Sequence, residues 1–141
     1  MIQLIFAFFF SCLGLMTSAP AGKIHLIIQE TVVDHGHVQV LIFNQEEGFP
    51  SEIDKAWKRL SLPVENKKAE IIIPDVEPGS YAVSVFHDED MDGEIKTNAI
   101  GYPLDKFGFS NNPSLLFGAP SFSKASFEVT DQEVKVKIKL R

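Results

Sequence analysis

From residue 78 the chain reads Pro-Gly-Ser-Tyr-Ala-Val-Ser-Val-Phe-His-Asp, an alternation that fits a pleated strand and little else. Successive strand side chains point to opposite faces, so Tyr81, Val83, Val85 and His87 share one face and Ala82, Ser84, Phe86 and Asp88 the other. The Pro78-Gly79 pair launches this strand from a turn. The same period returns at Ile24, Leu26 and Ile28, at Val38, Val40 and Ile42, and over 69–73, 125–129 and 133–140. The fold class expected is all-β: an antiparallel β-sandwich of about seven strands, with one short helix and a long ordered loop.

The connections follow from local chemistry. Asp34-His35-Gly36-His37 separates the first two strands and has turn residues, which predicts a hairpin. Ser51 and Asp54 resemble a capping pair, and Ile53, Ala56, Trp57 and Leu60 recur at helical spacing. A two-turn amphipathic helix is therefore expected there, with Trp57 as a core plug and Pro63 as its stop. Residues 99–122 lack periodicity yet hold Tyr102, Phe107, Phe109, Phe117 and Phe122, too many aromatics for a disordered linker. An ordered cover packed on the face of Ala82, Ser84 and Phe86 is expected, with an exposed ligand platform as the alternative. In the last strand Val134, Val136, Ile138 and Leu140 face the core, while Glu133, Lys135, Lys137 and Lys139 face water and guard an edge.

The other end of the chain sets the compartment. Leu4 to Met16 is an apolar run shorter than a membrane span, followed by Ala19 and Ala21 two apart. A signal peptide over 1–21 and one domain over 22–141 are expected, with an exported product, periplasmic or secreted, and no transmembrane segment in the mature chain. Cleavage would remove Cys12, the only cysteine, leaving no disulfide, thiolate or sulfur-ligated metal. All charged residues follow Ala21, and the net charge of −6 excludes a basic nucleic acid interface.

Chemistry concentrates after the central strand. Asp88, Asp90 and Asp92 stand at every second position and Gly93 follows, the opening of a calcium loop in which alternate carboxylates converge on one ion. Glu94 and Asn98 could add oxygens, but Lys96 holds the ninth position and Ala99 the twelfth, where a bidentate carboxylate would close a full loop. A weak Ca2+ site is expected, and the competing reading is a solvated Asp-rich turn. His87 and Asp88 do not form a catalytic dyad, because adjacent strand residues face opposite ways. The imidazole of His87 is expected at the edge of the core, bonded to the long loop. His35 and His37 lack a third metal ligand and read, like His25, as ordinary polar residues. With no nucleophile motif, phosphate loop or full zinc ligand set, no enzyme is expected.

With these residues in place, the chain resembles an exported bacterial family known as the domain of unknown function number twenty-one forty-one. The resemblance rests on Pro78-Gly79-Ser80-Tyr81-Ala82-Val83, on His87-Asp88-Glu89-Asp90-Met91-Asp92-Gly93, on Thr97-Asn98, Gly101 and Pro103, and on Gly108-Phe109-Ser110-Asn111-Asn112. It implies a prealbumin-like or immunoglobulin-like sandwich and no established activity. Asp90 and Asp92 depart from the pattern, where Asn is expected about as often, so this loop is more acidic than the resemblance requires. The alternative to a calcium module is a protein- or glycan-binding module whose contact residues are His87, Tyr102, Phe107, Phe109, Asn111 and Asn112.

Overall fold

The computed structural model describes residue 18 and residues 20–141, so the expected leader and Cys12 lie outside the described residues apart from Ser18, Pro20 and Ala21. Eight strands form two sheets among the described residues. The first sheet orders β4 (Lys68–Val76), β1 (Gly22–Gln29) and β8 (Glu133–Lys139). The second orders β3 (Lys58–Pro63), β2 (His37–Phe43), β5 (Gly79–Asp88) and β6 (Phe107–Phe109), with β7 (Phe127–Val129) also paired to β5. The sheets stack because each has one apolar face. Ile24, Leu26, Ile28, Ile73, Val136 and Ile138 meet Val38, Val40, Ile42, Leu62, Val83 and Val85 in a single core.

The expected hairpin over 34–37 does not form. β1 is filled on both edges, antiparallel to β4 and parallel to β8, so β2 starts in the opposite sheet, where it pairs with β3 and β5. Residues 30–36 are thus an arch between sheets, and stacking buries the inner faces of both strands. Among the described residues the β1–β8 pair is the one parallel ladder in an otherwise antiparallel structure.

The expected helix reduces to a single 3-10 turn over Ile53–Lys55, and Ser51 makes no capping bond. The residues after it are strand β3. Leu60 and Leu62 turn inward while Arg59 and Ser61 face out, a two-residue period that the 53–60 spacing had masked. Trp57 is no core plug: it is partly exposed and sits edge-on to Tyr81. The hydroxyl of Tyr81 donates to the Glu77 carbonyl at 2.9 Å and so ties down the Pro-Gly turn that starts β5. Burial, and then the nearby Glu77 carboxylate, raises the Tyr81 phenol above its usual pKa.

The 99–122 segment divides. β6 pairs with β5 through Ser84↔Phe109 and Phe86↔Phe107, which sets both rings on the expected face. Phe49 joins them, edge-on to Phe43, Phe109 and Phe122 at 5.4, 6.2 and 5.9 Å between centroids. Tyr102 touches that cover only at its margin, edge-on to Phe107 at 6.4 Å between centroids, and is 61% exposed, while Phe117 is 99% exposed. A single helical turn, α1 (Phe122–Ala125), occupies the start of the expected strand over 125–129.

Candidate metal centre

Strand β5 ends at Asp88, which is on the sheet's outer face yet only 1% exposed. Three donors account for its burial. Gln39 Nε2 on β2 donates to Asp88 Oδ2 at 2.8 Å, Gly93 N donates to the same oxygen at 2.8 Å, and Asp92 N donates to Oδ1 at 3.2 Å. The chain therefore folds back over Asp88 within five residues, through Met91 at φ 57° and Gly93 at φ 79°. The glycine suits its left-handed position because a side chain there is strained. Below the loop, Gly36 lets the 30–36 arch approach: a Cβ at that position would meet Asp88 O at 2.6 Å.

This fold-back gathers the alternate carboxylates. Asp88, Asp90 and Asp92 each present an oxygen within 4.8 Å of the others, a group that could hold a metal ion. It is the single such group of three or more His, Cys, Asp or Glu among the described residues. The bonds described above leave Asp88 part of its acceptor capacity, since a carboxylate has about four lone-pair sites. Asp92 Oδ1 accepts from Glu94 N at 2.9 Å. Asp90 Oδ2 is paired with Lys96 Nζ at 2.9 Å.

Two expected ligands are not brought in. Glu94 lies outside the group. Asn98 Oδ1 accepts from Ile100 N and Tyr102 N at 3.1 and 2.9 Å, closing its own turn instead of reaching the carboxylates. Lys96, unsuited to a ligand position, supplies a cation of its own. Its hydrogen bond holds the Asp90 carboxyl below the usual aspartate range, and Asp90 in turn raises the Lys96 ammonium. A lowered carboxyl contributes stability fully above its unfolded pKa and loses it as pH falls through the folded value. In Lys96→Gln, the NMR titration midpoint of the Asp90 carboxyl is expected to move up toward the ordinary range; an unmoved midpoint would mean that Lys96 does not hold it down.

Most of the expected contact residues turn out to be structural. His87 is 1% exposed, and its Nε2 donates to the His35 carbonyl at 2.8 Å. The imidazole thus braces the 30–36 arch, not the long loop, and is closed to a ligand. Asn111 Nδ2 donates to the carbonyls of Lys124 and Ser126. Asn112 bonds Lys137 O and Lys139 N, and Arg141 donates to its carbonyl. Both asparagines are clips at positive φ that hold the segment after β6 to α1 and β8. Phe109 is 7% exposed and Phe107 half-buried, which leaves Tyr102 as the open ring of the three. Sequence reasoning missed Gln39 and Lys96. Gln39 carried a signal, its outward phase between Val38 and Val40, but its partner across the sheet depends on the β2–β5 register.

Residues 27–137 match the family described as "Uncharacterized protein conserved in bacteria (DUF2141)". The chain belongs to this family. The matched span takes in the whole of β5, the carboxylate loop and β6, so the site described above lies inside the DUF2141 region. No curated protein and no solved structure matches the chain. Among the described residues, no helix is long and apolar enough to cross a membrane.

Proposed function

We propose that this DUF2141 chain is an exported, non-enzymatic β-sandwich module, periplasmic or secreted, whose 88–98 loop takes a weakly held calcium ion through Asp88, Asp90 and Asp92. The observation that carries the reading is the convergence of the three carboxylates. Oxygens that all lie within 4.8 Å of one another can share one ion at a calcium–oxygen distance of ~2.4 Å, and the open, exposed loop suits the flexible coordination of calcium. Water and carbonyl oxygens would complete the shell. The ion would displace Lys96 from Asp90 and relieve the repulsion among the carboxylates. Affinity belongs in the weak extracellular range of about 10⁻⁴ to 10⁻³ M. Export is supported by the Leu4 to Met16 run and the Ala19/Ala21 pair. The separation of His87 from Asp88, each tied to a different partner, supports a role other than acid–base catalysis.

Melting in calcium against chelator tests the site. With a Kd of ~1 mM, calcium at ~10 mM is expected to add about 1.4 kcal/mol, raising Tm by roughly 4–7 °C in a domain of this size. The double variant Asp90→Asn, Asp92→Asn should lose that rise. Equal melting of both proteins under both conditions would remove the site.

A second reading has its own support. Ile100, Tyr102, Leu104, Leu116 and Phe117 stand exposed on neighbouring loops, more apolar surface than a solvated connection needs. They suit a contact with a protein or glycan, with the acidic loop as a structural spacer.

A further inference from the structure

The outer face of the five-stranded sheet is not flat. Leu41 on β2, Arg59 on β3 and Ser84 and Phe86 on β5 point away from the core and floor a cleft of about 820 Å³. Ile95, Tyr102 and Pro103 line it from the loop after β5, Pro50 and Ile53 from the segment before β3, and Phe107, Phe109 and Leu115 from β6 and its sequel. Its size is that of a site for a drug-sized molecule, and its lining is mainly apolar and aromatic with a few polar groups, the composition such sites share.

The polar groups set the class of ligand. Ser84 Oγ is engaged by the Pro50 carbonyl and Gln39 Nε2 by Asp88. Arg59 is the single cation among the lining residues, and it has neither a hydrogen bond nor an ion pair among the described residues. Its guanidinium reaches over the carboxylate loop, with Nη2 3.9 Å from where a Cβ on Gly93 would stand. Five fixed donors on a planar fork, unpaired in an apolar trough, match one anionic oxygen pair. Glu94 is the single acid in the lining, and the loop that carries it also carries Asp88, Asp90 and Asp92, so a multiply charged head is repelled more than a singly charged one. We infer that the cleft binds a small amphiphile with one anionic head, carboxylate or sulfonate, at Arg59, and an apolar ring or acyl body against Leu41, Phe86, Ile95, Tyr102 and Phe107.

The proposal is independent of the calcium reading, and titrations run in chelator keep the two apart. The probes are 8-anilinonaphthalene-1-sulfonate and its uncharged counterpart N-phenyl-1-naphthylamine, which share a ring system and differ in the sulfonate. The protein should bind the sulfonate at least 10-fold more tightly than the neutral probe, with laurate competing for it. A charge-assisted bidentate pair accounts for a factor of that order. Arg59→Gln should bring the two affinities together without changing Tm, since the side chain has no partner to lose. Glu94→Gln should tighten the sulfonate and leave the neutral probe alone. Amide shift changes should map to Leu41, Phe86 and Tyr102. Equal affinity for both probes, an Arg59→Gln protein that still prefers the anion, or no binding of either probe would each overturn the assignment.

Discussion

Asp88→Ala is expected to destabilise the ion-free protein by about 2–4 kcal/mol, a fall in Tm of roughly 8–15 °C. A carboxylate whose sole task was to face an ion in a solvated turn would show the opposite: removing it would relieve repulsion and leave the apo protein as stable or more so. The structure gives Asp88 a different first duty. It accepts from Gln39 Nε2, Asp92 N and Gly93 N, and it is sealed from water by the loop those bonds fold over it. Truncation leaves a partly buried amide and two backbone donors of the loop without their shared acceptor, and opens a void where the buried carboxylate stood. The same change should abolish any response to calcium, because Asp90 and Asp92 are brought together by the turn that Asp88 closes. Asn at this position keeps one acceptor oxygen but points an amide at donors, so an intermediate loss is expected. Chemical denaturation of both variants in chelator decides the matter. An Asp88→Ala protein as stable as wild type would show that the loop is shaped by something other than its first carboxylate.

Why the strands could be read from the chain and their partners could not is clear from particular residues. Alternation is local, so β1, β2, β5 and β8 were visible in Ile24-x-Leu26-x-Ile28, Val38-x-Val40-x-Ile42, Tyr81-x-Val83-x-Val85 and Val134-x-Val136-x-Ile138. Pairing is not local. The Asp34-His35-Gly36-His37 stretch has hairpin chemistry, yet β4 and β8 compete for both edges of β1 from far along the chain. At 53–60 two periods overlapped: Ile53, Ala56, Trp57 and Leu60 fit a helix, while Leu60 and Leu62 fit a strand, and pairing with β2 decided for the strand. The three aspartates were legible because their spacing is itself the signal. Gln39 and Arg59 were not, since each reaches the site through a strand pairing across the sheet.

The second large effect is expected at Gly108, where the demand is for space and not for an unusual backbone angle. Gly108 lies at the middle of β6, opposite Val85, and faces inward between the outward rings of Phe107 and Phe109. A Cβ there would come within 2.8 Å of Ile138 Cγ2 and 2.8 Å of the Lys139 carbonyl oxygen, closer than a carbon atom approaches either. The methyl of Ile138 could turn aside, but Lys139 O belongs to the backbone of β8 and moves only with its strand. β6 is also where the two sheets meet along one side, through Arg141 N to Phe107 O at 3.0 Å and the reciprocal bond at 3.3 Å. Gly108→Val should therefore part that seam and cost about 3 kcal/mol, at the upper end of overpacking penalties. Phe107 and Phe109 line the cleft, so anionic probe binding should fall with stability. Gly101→Ala is the control. Gly101 has φ 83° and open space within 4 Å of where an added methyl would stand, so the substitution costs backbone strain alone, about 1 kcal/mol, well short of the loss expected at Gly108. If Gly108→Val melts with wild type, β8 yields more readily than a strand packed against the core can, and the seam does not hold the sheets together.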